Sequence, residues 1–319
     1  KYPWTQGRNL YHTGTGYTWP TLDGETIYGQ DAYISKYTAE GSREWSKLVG
    51  TAPPINSWIT NAHLSREIAR AITTDVDGNV YMSGSTNTWL GGRINEGTTD
   101  SFKGATDSFI RKYDAEGNTI WTQLIGGSAG DDVYAMASDN DGSVYIAGLT
   151  GGDLEGKTNH GQHDGFISKV NADGTKSWTQ IIGTNKGDDV KAITIGTDDS
   201  IYISGSTYGN LDMQNNSGED DAFLIKYDSK GSKQWTRLIG SAGRDNAQAL
   251  TSDQDGNIYV AGWTRGDFDG EINNGEGDVF ISKFDSDGKK QWSMLSGTED
   301  EDSANAIAIG NAGAIYVSG

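Results

Sequence analysis

Three stretches of the chain set carboxylates, amides and glycines at a constant spacing. They read GGDLEGKTNHGQHD ending at Asp164, GNLDMQNNSGEDD ending at Asp221 and GDFDGEINNGEGD ending at Asp278. The shared skeleton is [DN]-[LF]-[DE], then Asn, then Gly, then Asp. Calcium takes six to eight oxygens from carboxylates, amides and carbonyls on a bendable loop. Asp153, Glu155, Asp164, Asp212, Asp221, Asp267, Asp269 and Asp278 are therefore candidate Ca2+ ligands, with Asn159, Asn210, Asn216 and Asn273 beside them. The spacing is neither an EF-hand loop nor an RTX nonapeptide. The competing reading makes the same residues Asx turns that start the next strand.

A second acidic series is Asp131, Asp188, Asp245 and Asp302, with Glu67 in the same place. Carboxylates at such repeated positions could hold a cation, but backbone N–H groups are the expected partners when they are buried. His160 and His163 could be two ligands of a transition metal. A tetrahedral site needs more than two, so a solvated loop is the better reading.

Aromatic chemistry concentrates elsewhere, in TAPPINSWITNAHLSR (51–66) and NTWLGGRINEGTTDSFKGAT (87–106). Trp58, His63, Trp89 and Arg93 lie there, and Trp19 and Tyr17 lie at the equivalent place one copy earlier. Exposed aromatics with polar neighbours can stack on sugar rings or anchor a protein partner. The alternative is that they pack the long loops onto the scaffold. For an enzyme of the glycosidase or lyase kind, the unrepeated candidates are His63, Arg66, Glu67, Arg93, Glu96 and Asp100. No pair among them has a telling spacing, so no catalytic residue is assigned.

All of these residues hang on one repeated sentence. It appears as DAYISKYTAEGSREWSKLVG from Asp31, DSFIRKYDAEGNTIWTQLIG from Asp107, DGFISKVNADGTKSWTQIIG from Asp164, DAFLIKYDSKGSKQWTRLIG from Asp221 and DVFISKFDSDGKKQWSMLSG from Asp278. The last four start at intervals of 57 residues, and Trp121, Trp178, Trp235 and Trp292 keep the same interval. Each copy carries four strand signals: A (AQALTSD), B (NIYVAGW), C (DAFLIKYD) and D (KQWTRLIG), with turns SKGS and DQDGN between. Asp228 can accept hydrogen bonds from the backbone beyond it, and Gly231 can take a positive φ. Four antiparallel strands at a fixed period of this length describe a β-propeller blade. Such a blade needs neighbours to bury its faces.

The pattern D-x-F-[IL]-x-K-[YF]-D-x-x-G-x-x-x-W, followed by [IL]-G and [IV]-Y-[IV]-[AS]-G, resembles the SBBP-type β-propeller repeat over about residues 29–319. That family is found mostly in large bacterial proteins, many of them secreted or surface-borne. The resemblance implies the fold strongly and function hardly at all. The D-x-x-G-x-x-x-W stretch also resembles the tryptophan-docking turn of quinoprotein propellers and the Asp box of sialidases, which are structural turns there.

Counting signals gives five A, six B, five C and five D strands, twenty-one in all. A single all-β propeller domain over 1–319 is expected, with six blades as the leading count, five or seven as alternatives, and the chain truncated in mid-blade. Both long insertions fall in loops at the same end of the strands, where function usually sits on a rigid scaffold. The net charge of −19 repels phosphate backbones, so nucleic acid is not expected as a partner. No apolar run is long enough to cross a membrane. There is no cysteine, hence no thiolate chemistry. The sequence points to a non-catalytic binding module on the cell surface or outside the cell. It would present an acidic, aromatic-bearing face to a glycan or protein. The alternatives are a propeller glycosidase or lyase and a structural spacer.

Overall fold

A computed structural model describes residues 10–17, 21–22, 25–26, 30–50, 66–87, 90, 106–310 and 313–319, with side chains described from residue 30 onward. All regular structure among them is β. The first sheet has the order β1–β4–β5 (Leu10–Tyr17, Gln30–Tyr37, Arg43–Val49), with a small hairpin β2–β3 (Thr21–Leu22, Glu25–Thr26) inserted after β1. Four four-stranded antiparallel sheets follow. They are β6–β9 (Glu67–Thr74, Val80–Thr86, Asp107–Tyr113, Thr119–Ile125) and β10–β13 (Asp131–Ser138, Val144–Thr150, Asp164–Val170, Lys176–Ile182), and then β14–β17 (Asp188–Ile195, Ile201–Thr207, Asp221–Tyr227, Lys233–Ile239) and β18–β21 (Asp245–Ser252, Ile258–Thr264, Asp278–Phe284, Lys290–Ser296). A pair β22–β23 (Ala306–Ile309, Ile315–Ser318) ends the chain. The twenty-one expected strands are all present in the expected A–B–C–D order. The β2–β3 hairpin is the addition.

The chain divides into two compact units. The first runs to Val133 and takes in the turns Asn140–Gly142 and Asn171–Thr175, and the second holds the rest from Tyr134 to Gly319. The two turns group with the first unit because its side chains grip them. Tyr81 donates to Gly142 O at 2.9 Å, and Trp121 Nε1 and Lys112 Nζ donate to Ala172 O at 3.1 and 3.3 Å.

The central strands are buried on both faces. In β16, every residue except Lys226 is buried. Ala222 and Leu224 enter one apolar cluster with Phe280 and Phe284, while Phe223, Ile225 and Tyr227 enter another with Tyr145 and Ile167. The β14–β17 sheet is thus covered on both faces, as stacked blades require.

A transverse row explains most of the letters of the repeat. In the fourth sheet, Tyr202 on strand B lies opposite Lys226 on strand C, which lies opposite Trp235 on strand D. The ammonium sits 5.3 Å from the Tyr202 ring centroid, and the Tyr202 and Trp235 rings are 5.9 Å apart. Lys226 Nζ and Trp235 Nε1 then converge on Ser286 O, in the strand C–strand D turn of the next repeat, at 3.1 and 3.3 Å. Lys36 and Trp45 grip Ala115 O in the same way at 2.9 and 3.2 Å, and Trp178 reaches Ser229 O at 3.3 Å.

The turn that is gripped has its own local cause. Asp228 Oδ1 accepts from Lys230 N and Ser232 N at 3.0 and 2.9 Å, and Gly231 takes φ +81. Gly231 is doubly determined, because a Cβ there would also stand 2.6 Å from the Trp178 ring. The same tryptophan-over-glycine contact recurs at Gly117, Gly174 and Gly288. Trp235→Ala is expected to lower unfolding free energy by roughly 2–4 kcal/mol, the cost of emptying an aromatic site. Trp292→Ala should cost clearly less, because Trp292 is 36 % exposed. Urea unfolding of the two variants side by side measures the difference.

Candidate functional site

Strand A begins, strand B ends, strand C begins and strand D ends at one end of each sheet. In the fourth sheet, Asp188 lies opposite Thr207 and Thr207 opposite Asp221. This end carries the acidic loops.

The loop skeleton is a hydrogen-bond network that leaves Oδ1 of Asp164, Asp221 and Asp278 buried without a partner. Leu154, Leu211 and Phe268 are buried and pin the loop to the core. The residue after each takes a left-handed conformation, Glu155 at φ 49, Asp212 at φ 49 and Asp269 at φ 53, and opens a tight reversal. Asp153, Asn210 and Asp267 accept from the backbone N of Asn159, Asn216 and Asn273 at 2.9, 3.0 and 3.0 Å. Each of those asparagines then donates to the carbonyl of Thr150, Thr207 or Thr264. Glu155, Asp212 and Asp269 form ion pairs with Lys176, Lys233 and Lys290. Asp164, Asp221 and Asp278 are buried at the start of strand C, where Oδ2 accepts from His160 N, Ser217 N and Asn274 N. Their carboxylates lie on Gly183, Gly240 and Gly297, where a Cβ would come within 2.2 to 2.3 Å, which is why a glycine follows every strand D. Among the described residues, no three acidic or histidine side chains gather into a metal-binding group. The eight candidate metal ligands are thus spread along each loop, and most of their oxygens have protein partners.

The second acidic series accepts from backbone N–H groups. Thr184 N donates to Asp188, Ser241 N to Asp245 and Thr298 N to Asp302, at 2.7, 2.7 and 2.6 Å, so each carboxylate closes its own strand D–strand A loop. His160 Nδ1 stands 3.3 Å from Asp164, and His163 Nε2 stands 3.6 Å from Asp189. The two histidines therefore face different carboxylates. Trp19, Trp58, His63, Trp89 and Arg93, the candidate ligand-binding residues, lie outside the described residues.

A different cluster emerges in the second unit, at positions where the repeat is broken. The residue before strand A is Gly130 or Gly187 in two copies and Arg244 in a third. Arg244 Nε donates to buried Asp220 Oδ1 at 2.7 Å, and its NH2 donates to the Tyr208 hydroxyl at 2.7 Å. Asp220 beside it holds the Arg244 guanidinium charged even more firmly than usual. The guanidinium lies 5.8 Å from the Tyr208 ring and 5.7 Å from the Trp263 ring, and Arg265 lies 5.6 Å from Trp263. Arg265 continues to Glu301 at 2.9 Å. Beneath them, buried Asn246 donates to Ser206 at 2.9 Å. Tyrosine, arginine, tryptophan and arginine thus form a ladder fixed from below by a buried carboxylate. Its two outermost members, Arg265 and Glu301, are exposed.

The sequence reading missed this ladder, because it looked for insertions rather than for substitutions at constant length. Aligning the copies column by column would have found it. Where Arg244 stands, other copies have Arg66, Gly130, Gly187 and Glu301. Trp263 replaces Ser85, Leu149 and Ser206, and Asp220 replaces Thr106, His163 and Gly277. A cleft of about 330 Å3 near the outer strands, lined by Asp221, Arg237, Phe268, Asp269 and Lys290, is a less promising site. Arg237 already donates to Gly288 O and Asp287 O, and Lys290 is paired with Asp269.

Sheets of this order, with the interlocking row repeated from one to the next, make this a β-propeller repeat protein. The family model described as SBBP beta-propeller repeat matches the chain twice, at residues 120–155 and 234–269. Regulatory protein FlaEY of Caulobacter vibrioides is 25% identical over 216 residues, covering 61% of this chain and 22% of the relative. An uncharacterized WD repeat-containing protein of Acanthamoeba polyphaga mimivirus is 21% identical, covering 90% of this chain and 26% of its own length. The chain thus spans about a quarter of the curated relatives it matches. Among solved structures, a protein of unknown function from Bacteroides caccae has TM-score 0.41 at 9% identity, covering 91% of this chain and 94% of that one. Rhamnogalacturonan lyase YesW has TM-score 0.39 at 14% identity, covering 89% and 55%. Similarity at that level carries no activity across.

Burial has a consequence for pH. It raises the Asp245 carboxyl from 3.8 to about 6, and repulsion from Asp221 adds to the rise. The folded form therefore holds the proton more tightly than the unfolded chain, so folding is favoured as pH falls from about 6 towards 3.8. In chelator, the urea midpoint of the native chain should rise between pH 6.5 and 5, and Asp245→Asn should flatten that rise.

Proposed function

We propose that the chain is a non-catalytic binding module of a secreted or surface-borne bacterial protein, and that the loop end of its repeats receives a protein or glycan partner. The observation that carries this reading is the Tyr208–Arg244–Trp263–Arg265 ladder. Tryptophan, tyrosine and arginine are the residues that dominate binding energy at interfaces, and they do so when held rigid in advance. Here the buried Asp220 and the strand ends do the holding, so little side-chain entropy is left to lose on binding. The ladder as a set also departs from the repeat: Arg66 stands where Arg244 does, but no other copy has a tryptophan at the Trp263 position or an aspartate at the Asp220 position. A scaffold that repeats five times can offer one specific surface only where the repeat differs. The loops around 51–66 and 87–106 belong to the same reading, because their tryptophans and arginine also depart from the repeat.

Arg265→Glu leaves the Asp220–Arg244 pair in place and reverses the charge at the outer rung. It should abolish binding to a glycan array and to purified cell-envelope protein while the unfolding midpoint stays unchanged. Binding that survives the change, with the fold intact, counts against the ladder as the site.

Calcium enters this reading as a competitor of Lys176, Lys233 and Lys290 for the loop carboxylates. At 100 times its dissociation constant, a bound ion adds about 2.7 kcal/mol per site. Melting in EDTA, in millimolar calcium and in millimolar magnesium tests it. A calcium-specific rise supports ion-bound loops, and equal melting in all three leaves them as self-contained turns.

A further inference from the structure

The inner rungs of the ladder, Tyr208, Arg244 and Trp263, carry more hydrogen-bond donors than their own acceptors use. Arginine donates from Nε, NH1 and NH2 and accepts nothing, and the indole likewise only donates. Arg244 spends Nε on Asp220 Oδ1 at 2.7 Å. It spends NH2 on the Tyr208 hydroxyl oxygen at 2.7 Å and on Asp220 Oδ2 at 3.4 Å. Among the described residues, nothing accepts from its NH1, from the Trp263 indole N–H or from the Tyr208 O–H. The Arg244 side chain is 35 % exposed, and Tyr208 and Trp263 are half-buried, so these donors are within reach of a partner. Asp220 is the reverse, buried with both oxygens engaged. Because a guanidinium is planar, fixing Nε and NH2 on a buried carboxylate fixes the direction of NH1 as well.

A carboxylate is the group that fits such a surface. It accepts through two oxygens and donates nothing, and its bond to a guanidinium is charge-assisted. The surroundings narrow the choice. Glu219 is exposed, and its backbone N donates to Gly243 O at 3.2 Å, which sets it beside Arg244. Its carboxylate has no partner among the described residues, so a cation is the complement there. The net charge of −19 repels a run of acidic groups. An isolated carboxylate beside a cation meets all three conditions. Polypeptides place such groups side by side, whereas an acidic glycan repeats its carboxylates without the cation. Trp263 also has two guanidinium groups over its ring already, at 5.7 and 5.6 Å, and these compete with a sugar for that platform.

We propose that Tyr208, Arg244 and Trp263 form a receptor for one aspartate or glutamate side chain of a polypeptide partner, with Glu219 taking a lysine or arginine next to it. This rests on the reading of the ladder as the binding surface and names what that surface binds. NH1 of Arg244 takes one carboxylate oxygen, and the Tyr208 hydroxyl or the Trp263 indole takes the other. The opposite charges fix the direction in which the partner segment lies.

The test selects random phage-displayed peptides on the full chain and resynthesises those recovered with each Glu or Asp changed to Gln or Asn. Two comparison proteins keep the scaffold folded by borrowing residues from other copies. Asp220→Thr with Arg244→Gly installs the pair found at Thr106 and Gly130, and Trp263→Ser installs the residue found at Ser85 and Ser206. The recovered peptides are expected to share an acidic residue close to a basic one. In fluorescence anisotropy the amide change should weaken binding about tenfold, as a charge-assisted bond becomes a neutral one. Both comparison proteins should lose at least as much, and Glu219→Gln should remove the preference for the basic neighbour. Peptides that need the ladder but carry no acidic residue, or that bind equally well as amides, overturn this inference alone and leave the ladder as a binding surface. Recovery of no peptide, or of peptides indifferent to both comparison proteins at native circular dichroism, overturns the inference and the ladder with it. Binding to a uronic-acid glycan array that both comparison proteins lose would make an acidic glycan the occupant, and would overturn the polypeptide.

Discussion

A single backbone carbonyl per repeat, gripped by the tryptophan of the repeat before and at Ala115, Ala172 and Ser286 by its lysine as well, is the contact on which the rest of this structure depends. The lysine brings a charge-assisted bond, and the tyrosine and tryptophan rings around it exclude water from that bond. The motif letters follow from this contact. Tyrosine, lysine and tryptophan make the row. Aspartate folds the turn that offers the carbonyl, and glycine keeps the turn clear of the indole. Because the grip reaches from one repeat to the next, an isolated repeat leaves its row uncovered, and stability belongs to the series.

The same economy shapes the loop end. Each acidic loop is tied by a buried leucine or phenylalanine, an Asx bond, an asparagine bridging two backbone segments and a lysine pair. Since these ties come from the repeated letters, they are alike in the third, fourth and fifth sheets. They yield a uniform acidic rim, and uniformity is poor material for specificity. The ladder of Tyr208, Arg244, Trp263 and Arg265 breaks that uniformity at no change in loop length, and so keeps the rigidity of the scaffold beneath it.

The fold was legible in the sequence because every copy spells out the same period, turns and strands. The order A to D and all twenty-one strands could be read from the words alone. The turn roles of Asp228 and Gly231 were also legible, since they depend on local hydrogen bonds and φ. The faces of the strands were less so. Alternation along DAFLIKYD suggests two kinds of face, yet both are buried, and only the packing of one sheet on the next reveals it. The acidic skeleton was legible as a pattern and ambiguous as chemistry, because calcium loops and Asx turns draw on the same oxygens. The lysines that pair with these carboxylates, Lys176, Lys233 and Lys290, stand twenty-one residues away along the chain, beyond any local pattern. The ladder escaped because its four residues come from two repeats and meet only across a sheet boundary, and no local motif announces such a meeting.

The acceptor in the interlock is main chain, and this has a bearing on how such a protein can change over time. The residues carrying the gripped carbonyl are Ala115, Ala172, Ser229 and Ser286. Their neighbours in the turn are as different as Glu116, Asp173, Lys230 and Asp287. None of these side chains needs to match the tryptophan that docks beside it. Any copy of the unit can therefore follow any other, and a copy could be gained or lost by unequal recombination without compensating changes in its neighbours. The array is thus open to lengthening, shortening and shuffling, while the residues between the constant letters stay free to diverge.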